Sequence, residues 1–235
     1  MINTTRHAEI FHPSQLKNAP ISIVGCGATG SRIFMSLIEL GITNISVYDP
    51  DTVESHNIAN QAFTSQDIGS PKVHALKRLY EEKTGEPAPE TMHFVQAKVP
   101  LRYGVTPRVS GIVFLLTDTM SSRRKIMEVL SGTDNVSDII ETRMASTHGN
   151  IYCVNKFNEI HMKQWYASLI DDEDGETSAC GASISVGSTA SIIANLAVWQ
   201  FINLITNPAA VDFQTDIYLR PLMVSQIKPN PEVIL

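Results

Sequence analysis

The sequence has 235 residues, of which 43% are hydrophobic, and a formal net charge of −6. This length predicts one well-filled α/β domain, with two small domains as the alternative, and the negative charge gives no reason to expect nucleic-acid binding. The N-terminus lacks the apolar core of a signal peptide, and the three widely spaced cysteines predict neither a disulfide framework nor a zinc site. We therefore expect a cytoplasmic protein that does not enter a membrane.

A glycine-rich turn between a strand and a helix is the first clear motif along the chain. Residues 21–24 predict a short buried strand, and three glycines form G-x-G-x-x-G after it: Gly25, Gly27 and Gly30. Residues 31–40 carry apolar side chains at a helical spacing, and residues 45–48 predict a second strand that ends at Asp49. The start of such a helix offers N–H groups to a phosphate, and Asp49 can accept both ribose hydroxyls. The combination predicts a nucleotide site rather than a structural turn.

The remaining elements continue the alternation of helices and strands. Helices are predicted over residues 72–80, 121–130 and 159–169, and strands over residues 92–99, 111–117, 136–142 and 150–154. Residues 184–205 form a long apolar stretch, but repeated polar residues favour a core or dimer-interface helix over a membrane span. Residues 213–227 predict one or two closing strands. The predicted fold is α/β, a Rossmann-like, mostly parallel sheet with helices on both faces, plus a C-terminal interface helix and antiparallel strands.

Motifs after the second strand give the chain a resemblance to a known family. Asp49 and Asp51 are followed by the loop Asn57-Ile58-Ala59-Asn60-Gln61, by Asp67-Ile68-Gly69 shortly before Lys72, and by Thr117-Asp118 after an apolar strand. These motifs resemble the ThiF/MoeB/HesA superfamily, the ubiquitin-activating-type enzymes that adenylate the C-terminus of a protein. The resemblance extends over residues 6–205. It implies a single adenylation domain over residues 1–235, with a crossover loop at about residues 155–182.

The resemblance implies a role for each matching residue. ATP would be bound by Gly25, Gly27, Gly30, Asp49, Asp51, Asn57, Gln61 and Lys72. Lys72 would contact the phosphates and neutralise charge as pyrophosphate departs, and Asp118 would hold Mg²⁺, a hard cation that prefers carboxylate oxygens. The reaction implied is attack by the C-terminal glycine carboxylate of a ubiquitin-like or sulfur-carrier protein on the α-phosphate of ATP. Its products would be an acyl-adenylate and pyrophosphate.

One position departs from the loop N-x-x-R-Q that is usual in the family. Asn60 stands where relatives have an arginine that assists at the phosphates, and an asparagine cannot supply a charged, bidentate contact. Either another cation, for example Arg6, Arg123 or a residue of a partner subunit, replaces the arginine, or the chain is a nucleotide-binding regulatory module with impaired adenylation. An NAD-dependent oxidoreductase is a third alternative, disfavoured because Lys72 and Asp118 have no role toward a dinucleotide.

Cys180 has two interpretations that the sequence leaves open. It matches the family's cysteine, which as a nucleophile would take the acyl group as a thioester after an acidic segment, residues 171–177, that we expect to be mobile. It is equally consistent with a small apolar residue at the entrance of the interface helix. The small-residue-rich stretch at 183–205 predicts a homodimer. The run Arg123-Arg124-Lys125 predicts the solvated face of a helix.

Overall fold

The computed structural model describes residues 2–101, 108–172 and 185–229. Its strands are β1 (Ile21–Val24), β2 (Ile45–Tyr48), β3 (His93–Val95), β4 (Gly111–Leu115), β5 (Val136–Met144), β6 (His148–Asn155), β7 (Gln214–Leu219) and β8 (Leu222–Ile227). Its α-helices are α1 (Ala28–Glu39), α2 (Lys72–Thr84), α3 (Met120–Ser131), α4 (Glu159–Ala167) and α5 (Gly187–Thr206).

The eight strands form one sheet in the order β3-β2-β1-β4-β5-β6-β7-β8. Neighbours from β3 to β5 are parallel, and neighbours from β5 to β8 are antiparallel. This arrangement confirms the predicted fold class. The strand order reverses between β1 and β4, so the loops that follow β1, β2 and β4 open side by side at one edge of the sheet. Open α/β sheets bind their ligands at such an edge.

Helices cover both faces of the sheet because successive strand residues point to opposite sides. Ile23 of β1 and Phe114 of β4 belong to the core beneath α1, α2 and α5. Val24 and Leu115, one residue further along the same strands, belong to a second core beneath α3 and α4. The mostly apolar sequence of these central strands follows from this two-sided burial, and Ser22 of β1 is a buried polar exception that donates to Ser110 O.

The long apolar helix α5 is part of the first core. By length and composition it could cross a membrane, but half of its most apolar window is buried, and it packs against α1, β5 and β6. The N-terminal segment also reaches this helix, since Phe11 is completely buried and its ring lies 6.0 Å from that of Phe201. The prediction of a core helix is therefore confirmed, whereas the homodimer remains a prediction.

Most predicted elements differ from the observed ones by one to three residues at an end, and two end four residues away from their predicted end. The strand predicted at residues 92–99 is limited to β3, because the chain turns directly after it and Ala97 N–H donates to Val95 O. Helix α2 continues four residues beyond Tyr80 and ends at Gly85, whose φ of 69° is in the left-handed region that favours glycine. Residues 173–184, which include Cys180 and most of the acidic segment, lie outside the described residues, so both interpretations of Cys180 stay predictions.

Candidate functional site

The three glycines of the turn after β1 have different structural tasks. A β-carbon at Gly30 would lie 2.0 Å from Gly25 O, and one at Gly25 would lie 2.7 Å from Leu116 O. Both glycines are therefore required for close backbone packing. A β-carbon at Gly27 would meet no atom within 4 Å, and no side chain caps the start of α1. The turn thus leaves open space in front of unpaired helix N–H groups, an arrangement suited to a phosphate.

Asp49 at the end of β2 joins this turn to the next loop. Its side chain is buried, and its two oxygens accept hydrogen bonds from Cys26 N–H at 2.7 Å and from Asp51 N–H at 2.9 Å. Burial raises the pKa of Asp49, and the opposing influence of Lys72 and of the two N–H groups only partly offsets it. Each carboxylate oxygen retains a lone pair. Asp49 is therefore fixed in orientation and able to accept hydroxyl groups, as its predicted ribose role requires.

Lys72 at the start of α2 forms an ion pair with Asp51. The Lys72 ammonium lies 2.9 Å from Asp51 Oδ2, and its side chain is 10% exposed whereas that of Asp51 is 62% exposed. Burial lowers the pKa of Lys72, but the carboxylates of Asp49 and Asp51 outweigh this and raise it overall. Lys72 therefore remains charged at neutral pH. The three residues predicted from separate motifs lie together in the structure.

The loop between Asp51 and Lys72 is closed on itself by backbone and side-chain bonds. Lys72 N–H donates to Asp51 O at 2.9 Å, and Gly69 N–H donates to Val53 O at 2.8 Å. Below them the Arg78 guanidinium contacts both oxygens of the buried Asp67, each at 2.7 Å. Burial would raise the pKa of Asp67, but the bonds from Arg78 and Thr64 outweigh it and lower the pKa overall. This clamp holds Lys72 in position.

Three polar side chains of the loop between Asp51 and Lys72 differ in whether their oxygen accepts a hydrogen bond. Asn57 is buried, and its side-chain oxygen accepts from Glu54 N–H at 2.9 Å, which fixes the 3₁₀ helix Ser55–Ala59. Within the described residues, the buried oxygens Asn60 Oδ1 and Gln61 Oε1 have no hydrogen-bond partner. The loop rests on α1 through a bond from Ala62 N–H to Ser31 Oγ. Asn57 thus positions the loop, while a ligand role for Asn60 or Gln61 stays a prediction.

Asp118 lies on the other side of the glycine turn, two residues after the contact between Leu116 O and Gly25. It is exposed, and its carboxylate makes no hydrogen bond with the described residues. A pocket of about 380 Å³ lies beside it, lined by Lys98, Val99, Pro100, Asp118, Thr119, Ser121, Ser122 and Lys125. No group of three metal-binding side chains occurs in the described part of the chain. A single exposed carboxylate nevertheless suits Mg²⁺, which proteins often bind through one or two carboxylates and the phosphates of a substrate.

Arg123 is not available as the cation that replaces an arginine at position 60. It is buried, its Nε lies 2.9 Å from Glu141 Oε1, and its Nη2 donates to Thr142 O at 3.1 Å. The prediction of a solvated face is therefore wrong for Arg123, although Arg124 and Lys125 are exposed. The reason is that Arg123 shares the inward face of α3 with Met127 and Leu130 and meets a buried carboxylate there.

Arg6 is likewise not brought to the glycine turn of its own chain. It is exposed, and the nearby Thr4 packs at Gly41, which follows the C-terminal end of α1. The glycine turn lies at the opposite end of this helix of 12 residues. A role for Arg6 at the nucleotide site of a partner subunit stays a prediction.

Sequence reasoning missed Arg32, the Asp67–Arg78 clamp and the buried Glu141. The clamp and Glu141 depend on partners that are distant along the chain, so no local pattern indicates them. Arg32 carries a weak signal, because it is a charged residue early in an otherwise apolar and small-residue helix directly after the glycine motif. In the structure it is half-buried beside the loop that contains Asn60.

Comparisons with known proteins identify the family of the chain and its fold. The sequence model of the ThiF family matches residues 8–230. Among solved structures, PaaA shares 17% identity at a TM-score of 0.66, covering 96% of this chain and 68% of PaaA. Escherichia coli MccB with ATP shares 16% identity at a TM-score of 0.62, covering 93% and 66%.

The microcin C7 biosynthetic enzyme MccB in complex with N-formylated MccA gives a TM-score of 0.65 at 16% identity, covering 93% of this chain and 67% of MccB. The chain thus spans about two thirds of the length of these structures. At these identities the structural likeness establishes a shared fold.

Proposed function

The chain belongs to the ThiF family, and we propose that it uses ATP to adenylate the C-terminal carboxylate of a small protein or peptide. The observation that carries the proposal is the buried Lys72 ammonium, 2.9 Å from Asp51 and next to the glycine turn. A desolvated cation at this place stabilises negative charge on a polyphosphate. A nicotinamide dinucleotide also carries a pyrophosphate that Lys72 could contact, so it is the family membership that disfavours an oxidoreductase.

The chemistry follows from the positions of the residues around the turn. Asp49 holds the ribose hydroxyls, and the N–H groups behind Gly27 bind phosphate oxygens. The carboxylate of the acceptor attacks the α-phosphate, the bond to the departing pyrophosphate breaks, and Lys72 neutralises the charge that develops there. Mg²⁺, when bound at Asp118, supplies further charge neutralisation on the phosphates. Positioning and electrostatics provide the catalysis, since no protein group forms a bond in this step.

For the acceptor we propose a ubiquitin-like or sulfur-carrier protein that ends in glycine. The family membership supports an acceptor with a free C-terminal carboxylate, and the solved complex of MccB with MccA illustrates a relative that binds another chain. A subsequent step belongs to the same proposal: the Cys180 thiolate attacks the acyl carbon of the acyl-adenylate, a thioester forms, and AMP leaves. A short peptide as acceptor is the alternative that a substrate panel distinguishes.

The proposal is tested by ATP–pyrophosphate exchange with purified protein, Mg²⁺ and a panel of glycine-terminated carriers and peptides. We expect exchange with at least one acceptor and a loss of about 100-fold or more in Lys72→Ala. Lys77→Ala, on the exposed face of the same helix, serves as the matched control. Exchange that Lys72→Ala leaves unchanged contradicts the proposal. Binding of NAD without ATP would instead support the oxidoreductase alternative.

A regulatory module with an inactive nucleotide site is the second candidate, and Asn60 is the residue that favours it. This candidate predicts that ATP binds tightly while no acceptor supports exchange. A thermal-shift titration with ATP, AMP and NAD separates binding from turnover, because a ligand at 100 times its Kd adds about 2.7 kcal/mol to stability.

We also propose that the protein is a cytoplasmic homodimer. Support comes from the outer face of α5, where Ile192 and Trp199 are 39% and 50% exposed. Large apolar side chains on one helix face are typical of a surface that another chain covers. Sedimentation of the wild-type protein and of Trp199→Glu tests the assembly, and a wild-type monomer at micromolar concentration contradicts it.

A further inference from the structure

Arg32 has a charged side chain with no acidic partner among the described residues. It lies on α1, four residues after Ala28 and on the same helix face. Its buried Nε atom has no hydrogen-bond partner, and none of the described carboxylates forms an ion pair with its guanidinium. The side chain as a whole is only half-buried, but its Nε is a buried donor, and an anion beside it would provide the hydrogen-bond partner that the described residues do not.

The Arg32 guanidinium lies where the start of α5 meets the loop that contains Asn60. A β-carbon placed at Gly187 would lie 3.5 Å from Arg32 Nη2, 3.4 Å from Asn60 Cα and 2.9 Å from Ala59 O. Gly187 begins α5, and neither α5 nor α1 is capped by a side chain at its start. The starts of helices carry partial positive charge. A cation between two such starts is unfavourable unless an anion joins them.

We propose that Arg32 binds the pyrophosphate end of ATP, in the place left without a cation by Asn60; this inference rests on the proposed function. The open space at Gly27 receives the phosphate nearest the ribose, whose hydroxyls Asp49 fixes from the β2 side. The remaining phosphates then extend over the loop that ends at Gln61. Arg32 approaches that loop from α1, so its guanidinium meets the phosphates that ATP has and AMP lacks.

Burial lowers the pKa of Arg32, and this supports the assignment because a phosphate would offset the cost of burying the charge. The unpaired oxygens Asn60 Oδ1 and Gln61 Oε1 of the neighbouring loop are hydrogen-bond acceptors and do not themselves bind a phosphate. Neither residue carries a charge, so Arg32 is the cation that the loop itself does not provide.

The test compares the Kd values of ATP and AMP, measured by calorimetry without any acceptor. Arg32→Ala should weaken ATP binding at least about tenfold, the effect of losing one charge-assisted contact, while AMP binding changes less than about threefold. Arg124→Ala, which removes an exposed arginine of α3, should leave both unchanged. The double variant Arg32→Ala/Asn60→Arg should regain ATP affinity, since both positions approach the same point.

The outcomes separate the two proposals. Wild-type protein that binds ATP, together with Arg32→Ala that binds it equally well, overturns the role of Arg32 and leaves the proposed function standing. An equal loss of ATP and AMP binding in Arg32→Ala means that the residue supports the fold, which also overturns the assignment. Wild-type protein that binds no ATP overturns the proposed function and the assignment together.

Discussion

The Arg143 guanidinium holds the Glu141 carboxylate at two points, with Nε 2.8 Å from Oε1 and Nη2 3.0 Å from Oε2. Glu141 is completely buried in β5, and it also contacts Arg123 at 2.9 Å and accepts from Trp165 Nε1 at 2.6 Å. One carboxylate thus joins α3, α4 and β5. Because Arg123 Nη1 also reaches Asp118 O at 3.4 Å, the same network supports the loop of the proposed Mg²⁺ site.

Replacing Glu141 by glutamine should therefore destabilise the fold strongly. Two buried guanidinium groups would keep their charge without a carboxylate, and removal of one partner of a buried ion pair costs about 3–5 kcal/mol. Urea unfolding should show this loss in the free energy of unfolding. Glu128→Gln, on the exposed side of α3, should change it by less than about 0.5 kcal/mol. Equal stabilities of the two variants would contradict the structural role of Glu141.

The clamp between Asp67 and Arg78 should make part of the stability depend on pH. The pKa of Asp67 is lowered in the folded protein, below the value of about 3.9 for an unfolded aspartate. Its contribution is therefore present above that unfolded value and is lost as the pH falls through the folded pKa. At pH 7, Asp67→Asn should lower the free energy of unfolding by about 1.5–3 kcal/mol.

Unfolding of wild type and Asp67→Asn between pH 7 and pH 3 measures this effect, and the difference between them should shrink below about pH 4. Glu82→Gln removes an exposed partner of the same Arg78 and should cost less than about 1 kcal/mol at every pH. A difference for Asp67→Asn that persists unchanged in acid would contradict the assigned pKa direction.

The sequence was sufficient for β1, β2 and the glycine turn because these features are local. Ile21–Val24 and Ile45–Tyr48 are short, mostly apolar runs with one serine each, followed directly by Gly25 and Asp49, and their predicted bounds agree with the observed ones. Arg123 was interpreted wrongly because its environment is set by Glu141, which the α3–β5 packing brings near. The sequence pattern shows that Arg123 is charged, but it does not show where the partner of that charge lies.

In the candidate site too, local features were predictable from the sequence and contacts between distant residues were not. The sequence predicts that Asp49, Asp51 and Lys72 bind the nucleotide. It does not predict the ion pair between Asp51 and Lys72, which depends on closure of the loop by Gly69 and Val53. The sequence does not indicate Arg32 as a site residue, because the evidence for it is that its Nε has no hydrogen-bond partner among the described residues. Such an absence becomes visible only when the neighbours are known.

Alanine at two glycines of the turn should give opposite defects. A β-carbon at Gly30 would lie 2.0 Å from Gly25 O, and such overpacking costs about 1–3 kcal/mol of stability. A β-carbon at Gly27 meets no protein atom within 4 Å, so Gly27→Ala should fold normally. Its methyl group would occupy the proposed phosphate space and weaken ATP binding at least about tenfold. Thermal unfolding and ATP calorimetry of both variants test this, and normal ATP binding by Gly27→Ala would contradict the proposed position of the phosphate.

Asp118→Asn should change the requirement for Mg²⁺ and leave the fold intact. The carboxylate is exposed and makes no hydrogen bond with the described residues, so the free energy of unfolding should change by less than about 0.5 kcal/mol. Loss of an anionic oxygen weakens a hard cation's site. The Mg²⁺ concentration for half-maximal ATP–pyrophosphate exchange should therefore rise about tenfold or more.

The matched control for this variant is Asp134→Asn, because Asp134 is exposed and follows the opposite end of α3, away from the glycine turn. It should show the wild-type dependence on Mg²⁺. If Asp118→Asn and Asp134→Asn behave alike, Mg²⁺ is held by the phosphates alone or by another group, and Asp118 has no part in the reaction. If Asp118→Asn alone requires more Mg²⁺ while its unfolding is unchanged, the defect lies in metal binding, because damage to the α3 network would also have lowered the stability.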